Sequence, residues 1–344
     1  MKLFNKKLLA VCCGLLSFFV SANNDFDPLS LSGYKSSNAV SSVMLSVVDK
    51  DKQLFMVGER GIIIRSDKGE KWTQDQVPVS TTLTKVIALD KGLLALGHSG
   101  TILRLKDLSS NSWDVVLNGL DIPKIYQDYI DHALLSADNK RILEREVEGY
   151  ILQGPDKPFF NAIEIEKGRV QVFGAYGLAL ELVEKNGDFK AEPITHRFSD
   201  TDYMHLYGAA RHDGVIYVVG EQGTLYSSND NGLHYKPIDS PYKGTFFGVS
   251  ELAGELYIYG MNGNIYRQLQ NDGWVKVSIK SEASVADMTT SKGKVYVLTQ
   301  SGEIFSSCET VCEMNLRVNS PSAGFVLRED RAFLSTFSGP QSVK

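Results

Sequence analysis

Apolar and polar residues alternate along the chain in short runs, and most runs stop at glycine. The apolar run from Val215 rises to Gly220, Glu221 and Gln222 turn the chain, and Gly223 opens a second run through Leu225 and Tyr226. That pattern predicts two antiparallel strands joined by a tight corner, with glycine supplying positive φ. Gly58-Glu-Arg-Gly61, Gly97-His-Ser-Gly100, Gly174-Ala-Tyr-Gly177 and Gly260-Met-Asn-Gly263 repeat it behind their own apolar runs, and Thr299-Gln-Ser-Gly302 is a decayed copy. The first positions of these corners step by 39, 77, 46, 40 and 39 residues, and a further 39 reaches Ser338-Gly339.

A unit of about forty residues with four short strands cannot bury both faces of its sheet until neighbours stack on it, which is the logic of a propeller blade. The count gives an all-β chain, a seven-bladed β-propeller. Blades are predicted over 43–77, 83–117, 159–194, 205–238, 246–279 and 285–318, with the seventh starting near Gly324. The step of 77 exceeds one repeat, and the excess, 118–155, carries Ile122, Ile125, Tyr126, Tyr129, Ile130, Ala133 and Leu134 at helical spacing. After a polar break, Ile142, Leu143, Val147, Tyr150 and Ile151 continue at that spacing until Gly154-Pro155 stops them. The expectation is an α-helical hairpin insert between blades 2 and 3, with a degenerate eighth blade as the alternative.

Two turns carry sialidase-like Asp-box spacing: Asp67, Gly69 and Trp72 in blade one, and Asp230, Gly232 and Tyr235 in blade four, after Ser228. In such a box the carboxylate accepts backbone N–H groups across the turn and the aromatic packs inward, so both are read as structural.

Lys2, Lys6 and Lys7 precede an apolar run from Leu8 to Val20 that ends in Val20-Ser-Ala22, which predicts a cleaved signal peptide, 1–22. The run is shorter than the roughly 20 residues of a membrane-spanning helix. The expectation is a periplasmic protein, free or peripheral to the inner membrane, with 23–344 forming one propeller and no membrane span in the mature chain. Only seven residues follow Phe337, so the N-terminal segment is expected to close blade seven with an outer strand.

Losing three lysines makes the net charge of -5 more negative, which argues against nucleic acid and anionic membranes as partners. Cleavage also leaves two cysteines, Cys308 and Cys312, where other blades have the Asp-box turn. In an oxidising compartment they read as a disulfide, with two buried thiols as the alternative. The six histidines are scattered without metal-ligand spacing, and no cofactor-binding or nucleophile motif occurs, so neither a metal nor a cofactor is expected. A sialidase would need an arginine triad and a tyrosine nucleophile beside a glutamate, and the nearest echo of its arginine segment, from His196 to Ser199, lacks the proline.

The corners at Gly58 and Gly174, the link from Pro78 to Thr84, Gly154 to Phe159, and Ser240 to Gly248 together resemble the exported β-propellers related to the photosystem II stability and assembly factor. The resemblance covers nearly the whole mature chain. It implies BNR repeats without sialidase activity and an assembly role. Non-photosynthetic members carrying the helical insert imply an inner-membrane exporter of the resistance-nodulation (RND) type as partner. The resulting expectation is a non-enzymatic, monomeric protein-binding or assembly scaffold. A glycan-active hydrolase or lyase using the central depression is the alternative. Second-to-third-strand corners and blade-to-blade links emerge on one face of a propeller. The partner-binding residues are therefore expected there: Arg60, His98, Tyr176 and Gln222 from corners, Tyr242, Lys243 and Phe246 from one link, and Tyr126, Tyr129 and Tyr150 from the hairpin.

Overall fold

The computed structural model describes residues 27–344 except 200–202, 271–272, 307 and 309; the expected signal peptide lies outside them. Six four-stranded antiparallel meanders and one three-stranded meander follow one another along the chain. Their first strands are Met44–Lys50, Leu83–Ala88, Phe159–Glu166, Leu206–His212, Phe246–Leu252, Val285–Ser291 and Ser322–Arg328. Each first strand packs beside the next, and that of blade seven returns to that of blade one, so seven blades close a ring around a central channel.

The second strand of a blade is the most completely buried, as in Val215–Gly220 and Gln53–Gly58, because blades cover it from both sides. Its terminal glycine is extended rather than left-handed, at φ -161° for Gly220. Glycine is needed there for space: a Cβ on Gly58 would lie 1.9 Å from the carbonyl oxygen of Val43. The positive φ falls on the last two corner residues, 52° at Arg60 and 67° at Gly61.

Each corner is stitched to the start of its own first strand, as by Glu59 N to Val43 O at 3.1 Å and Glu221 N to His205 O at 3.2 Å. In four corners the last glycine also donates to the link to the next blade, as from Gly61 N to Thr81 O at 2.8 Å and from Gly223 N to Gly244 O at 2.9 Å. These bonds place corners and links on one face. Each first strand slips register once near this face, leaving Leu45, Thr84, Phe160, Tyr207, Phe247, Ala286 and Ala323 without a cross-strand partner. A bulge of this kind re-aims the extra side chain.

Between blades two and three stand α1 (Ile122–His132) and α2 (Ala137–Gln153), the latter capped by Ser136, whose hydroxyl accepts the N–H of Asn139. Ile122, Tyr126, Ile130, Leu143, Val147 and Tyr150 enter one core cluster with Leu94, Leu96 and Phe159 of the flanking blades. The hairpin is therefore part of the blade-two/blade-three core. Its packing runs to the outer strand of blade three (α1) and to Thr195–Arg197 (α2).

Among the described residues the N-terminal segment meets blade seven as a turn and not as the expected outer strand. Blade seven consists of three strands from the C-terminal end, the last being Gly339–Val343. The described N-terminal residues add no strand to it: they run along blade one, with Gly33 N on Val77 O at 2.8 Å and Tyr34 N on Arg60 O at 2.9 Å, and then lay the short turn Ala39–Ser41 against the last strand of blade seven. That stretch has no alternating apolar run to lay on a blade face, so its amides find acceptors in a loop. Phe333 supplies the closure by packing with Met44, Leu54, Met56, Ile62 and Ile64 of blade one, and Arg328 Nε donates to Asp49 Oδ2 at 2.8 Å.

Candidate partner-binding site

The bulges give the corner face its chemistry. Phe160, Tyr207 and Phe247 occupy the same bulge position in blades three, four and five, and all are half-buried. Phe160 and Tyr207 have ring centroids 4.8 Å apart, and Tyr207 and Phe247 are 5.6 Å apart. His205, at the foot of the fourth blade, joins Phe160 at 5.9 Å and meets Tyr176 of the neighbouring corner edge-on at 4.5 Å. Five rings from three blades thus form a crescent at the channel mouth. The bulge residues of the other blades are leucine, threonine and two alanines, so the mouth is aromatic on one side only. The residues after them include Lys85 and Asp287, on opposite sides of the ring and near enough for the lysine charge to act on the carboxylate.

Electrostatics distinguish the two faces. On the face opposite the corners, charges from the hairpin turns pair from blade to blade: Lys167 with Asp90 at 2.9 Å, Lys292 with Asp330 at 2.8 Å and Arg328 with Asp49 at 2.8 Å. On the corner face Lys243 and Glu221 have no such partner among the described residues. Burial, with the Glu221 charge close by, pushes the Tyr207 phenol up to about 12, so it is neutral at physiological pH.

The residues expected at the site divide into two groups. Arg60, His98, Tyr176, Gln222 and Lys243 are exposed, and Tyr129 and Tyr242 are half-buried. Tyr176 shows 53% of its surface. Arg60 stacks over Tyr34 at 5.7 Å, and Tyr129 lies 5.5 Å from the His196 ring. Tyr126, Tyr150 and Phe246 are buried and cannot touch a partner. Tyr126 bonds the Thr195 hydroxyl at 3.0 Å, Tyr150 covers the Lys157 ammonium at 4.2 Å, and Phe246 packs against Tyr242 and Tyr266. For Tyr126 and Tyr150 the cause is that the hairpin stripe is buried by two blades as well as by its partner helix; Phe246 opens the first strand of blade five and turns into the core between blades four and five. What the hairpin leaves exposed is Leu134, Ile151 and Leu152.

Phe160, Tyr207, Phe247 and His205 were not singled out from sequence. The signal lay in aligning the blades on their first strands, where Phe159-Phe160-Asn161, Leu206-Tyr207-Gly208 and Phe246-Phe247-Gly248 fall in register.

The other motifs stay in the scaffold. Tyr235 is fully buried, stacks on Phe198 at 4.3 Å and donates its hydroxyl to Gln171 of blade three. Trp72 packs on the closure cluster. Cys308 and Cys312 form a disulfide with Cα atoms 4.3 Å apart, both inside the blade-five/blade-six core. Among the described residues no group of three His, Cys, Asp or Glu side chains is placed to hold a metal ion, and no helix is long and apolar enough to cross a membrane.

Solved structures share this architecture. Virginiamycin B lyase from Staphylococcus aureus superposes with a TM-score of 0.65 over 90% of this chain and 97% of its own, at 9% identity. A structure of YCF48 bound to D1 peptide gives 0.62 over 92% and 97% at 12% identity, and BamB from Moraxella catarrhalis gives 0.51 over 90% and 87% at 14%. The chain is a seven-bladed β-propeller. Likeness at these identities carries the fold and nothing further. No protein-family model matches the sequence, and neither does any curated protein.

Proposed function

We propose that this propeller is a non-enzymatic, periplasmic scaffold that holds another envelope protein on its corner face. The partner class implied by the sequence resemblance is an inner-membrane exporter of the resistance-nodulation type. The observation that carries the reading is the crescent of Tyr176, His205, Phe160, Tyr207 and Phe247. Partly exposed aromatic rings gathered at one side of a channel mouth, beside a lysine and a glutamate that no neighbouring blade pairs, are the usual composition of a protein-binding surface. A leader at 1–22 would deliver the mature chain to that compartment. One neighbouring fold, YCF48, is described with a bound D1 peptide, which is compatible with a holding role.

Affinity capture from the cell envelope tests it, comparing the mature protein with the double variant Tyr176→Ala, Phe247→Ala. Both side chains are at least partly exposed, so the variant should keep its melting temperature and lose one envelope protein that the native protein retains. Equal retention by both would put the partner elsewhere.

A further inference from the structure

The crescent surrounds a carboxylate whose charge the fold leaves unanswered. The Glu221 side chain is 32% exposed, and its nearest candidate cation is the His205 ring, with Nδ1 3.6 Å from Oε2. That nitrogen already accepts the backbone N–H of Tyr176 at 3.1 Å, so it is engaged there and not with the carboxylate. Glu221 does accept the N–H of His205 at 3.1 Å, a structural task. Glu59 performs the same task for Val43 at 3.0 Å in blade one, where the mouth residue is Leu45 and no crescent stands nearby. The equivalent position is His98, Ala175 or Met261 in other blades, so the fold does not require a carboxylate there. In blade four alone a carboxylate coincides with the rings, near enough to one of them for its charge to act on the Tyr207 phenol.

Aromatic faces and a carboxylate attract the same kind of ligand, an ammonium or guanidinium. The acidic balance of the chain favours that sign. The basic groups nearby do not fill the position: Lys157 is buried and paired with Glu146 at 3.3 Å, and Lys243 is exposed on the link to blade five. Resting on the reading of this face as the partner site, we infer that Glu221, with the rings of Tyr207, Phe160 and Phe247, forms a subsite for one lysine or arginine side chain of the partner protein.

The test uses the full mature chain and two blocked peptides, acetyl-Gly-Arg-Gly-amide and its uncharged citrulline counterpart, with the aromatic signals followed by NMR. The ring signals of the crescent should move with the arginine peptide, respond about ten-fold more weakly to citrulline, and stay still for both peptides in Glu221→Gln, whose amide oxygen can still accept the His205 N–H. Equal responses to the two peptides, no response, or an arginine response that survives Glu221→Gln would overturn the inference. Envelope capture separates its failure from that of the underlying reading. Partner loss in Tyr176→Ala, Phe247→Ala with full retention in Glu221→Gln removes the cation subsite and keeps the face, whereas retention by both removes the face.

Discussion

In the two Asp-box turns the glycine amide is held by a serine. Ser228 Oγ accepts the N–H of Gly232 at 2.9 Å, while Asp230 accepts from Ser228 Oγ and His234 N. In blade one Ser66 Oγ accepts the N–H of Gly69 at 2.9 Å, and the Asp67 carboxylate takes only an exposed bond from Gln53. Serine and aspartate are adjacent there, one residue closer than in blade four, so the hydroxyl falls on the amide and the carboxylate swings outward. Spacing alone suggested Asp67 for the amide because the sequence pattern does not say which oxygen reaches it. Ser66→Ala should cost about 1 to 2 kcal/mol and Asp67→Ala less than about 1 kcal/mol. Urea denaturation checks the ranking, and an equal or larger loss in Asp67→Ala would contradict it.

The helical hairpin was legible as an element and misread as a surface. Helical spacing gave both helices and the stop at Gly154, but periodicity cannot tell what a stripe faces, and here two blades cover Tyr126 and Tyr150. The bulges were illegible for a related reason: one extra residue has no hydrophobic requirement of its own, so it disturbs the alternation without announcing a site. The hairpin rests on His196, packed under Tyr129. Burial, helped by the Arg197 charge, lowers the His196 imidazole to about 4. The folded value is below the ordinary 6.5, so the unfolded chain binds the extra proton first. The contribution of His196 is complete above about 6.5 and is lost as pH falls toward about 4. The melting temperature should therefore fall between pH 7 and pH 5, and His196→Phe should flatten that fall; an unchanged slope would show that this ring does not govern it. Lys157→Ala should cost about 3 to 5 kcal/mol, because it strands Glu146 beneath α2. A loss under about 1 kcal/mol in thermal unfolding would mean that the pair is effectively solvated.

At the scale of the whole molecule, the described residues close the ring through side chains and the N-terminal turn Ala39–Ser41, and not through a strand shared between the chain ends. Phe333 lies against Gly69, where a Cβ would come within 2.1 Å of its ring, and fills the cluster with Met44 and Met56. Phe333→Ala should cost about 3 to 5 kcal/mol and open the blade-one/blade-seven seam first, which hydrogen exchange would report as early loss of protection in Ser322–Arg328 and Met44–Lys50. Uniform loss over all blades would contradict closure at this seam. The repeat made the seven blades readable because each needs its neighbours to bury both faces. The choice of face was readable only in part, since corners and links mark it but the crescent depends on three bulges aligning across blades. The most direct test is crosslinking in intact cells with a photoreactive phenylalanine analogue at Tyr176 and at Gln222 on the corner face, and at Asp213 and Lys292 on the opposite face. The account predicts that Tyr176 and Gln222 give an adduct with one and the same envelope protein and that Asp213 and Lys292 give none. An adduct confined to Asp213 and Lys292 would contradict it.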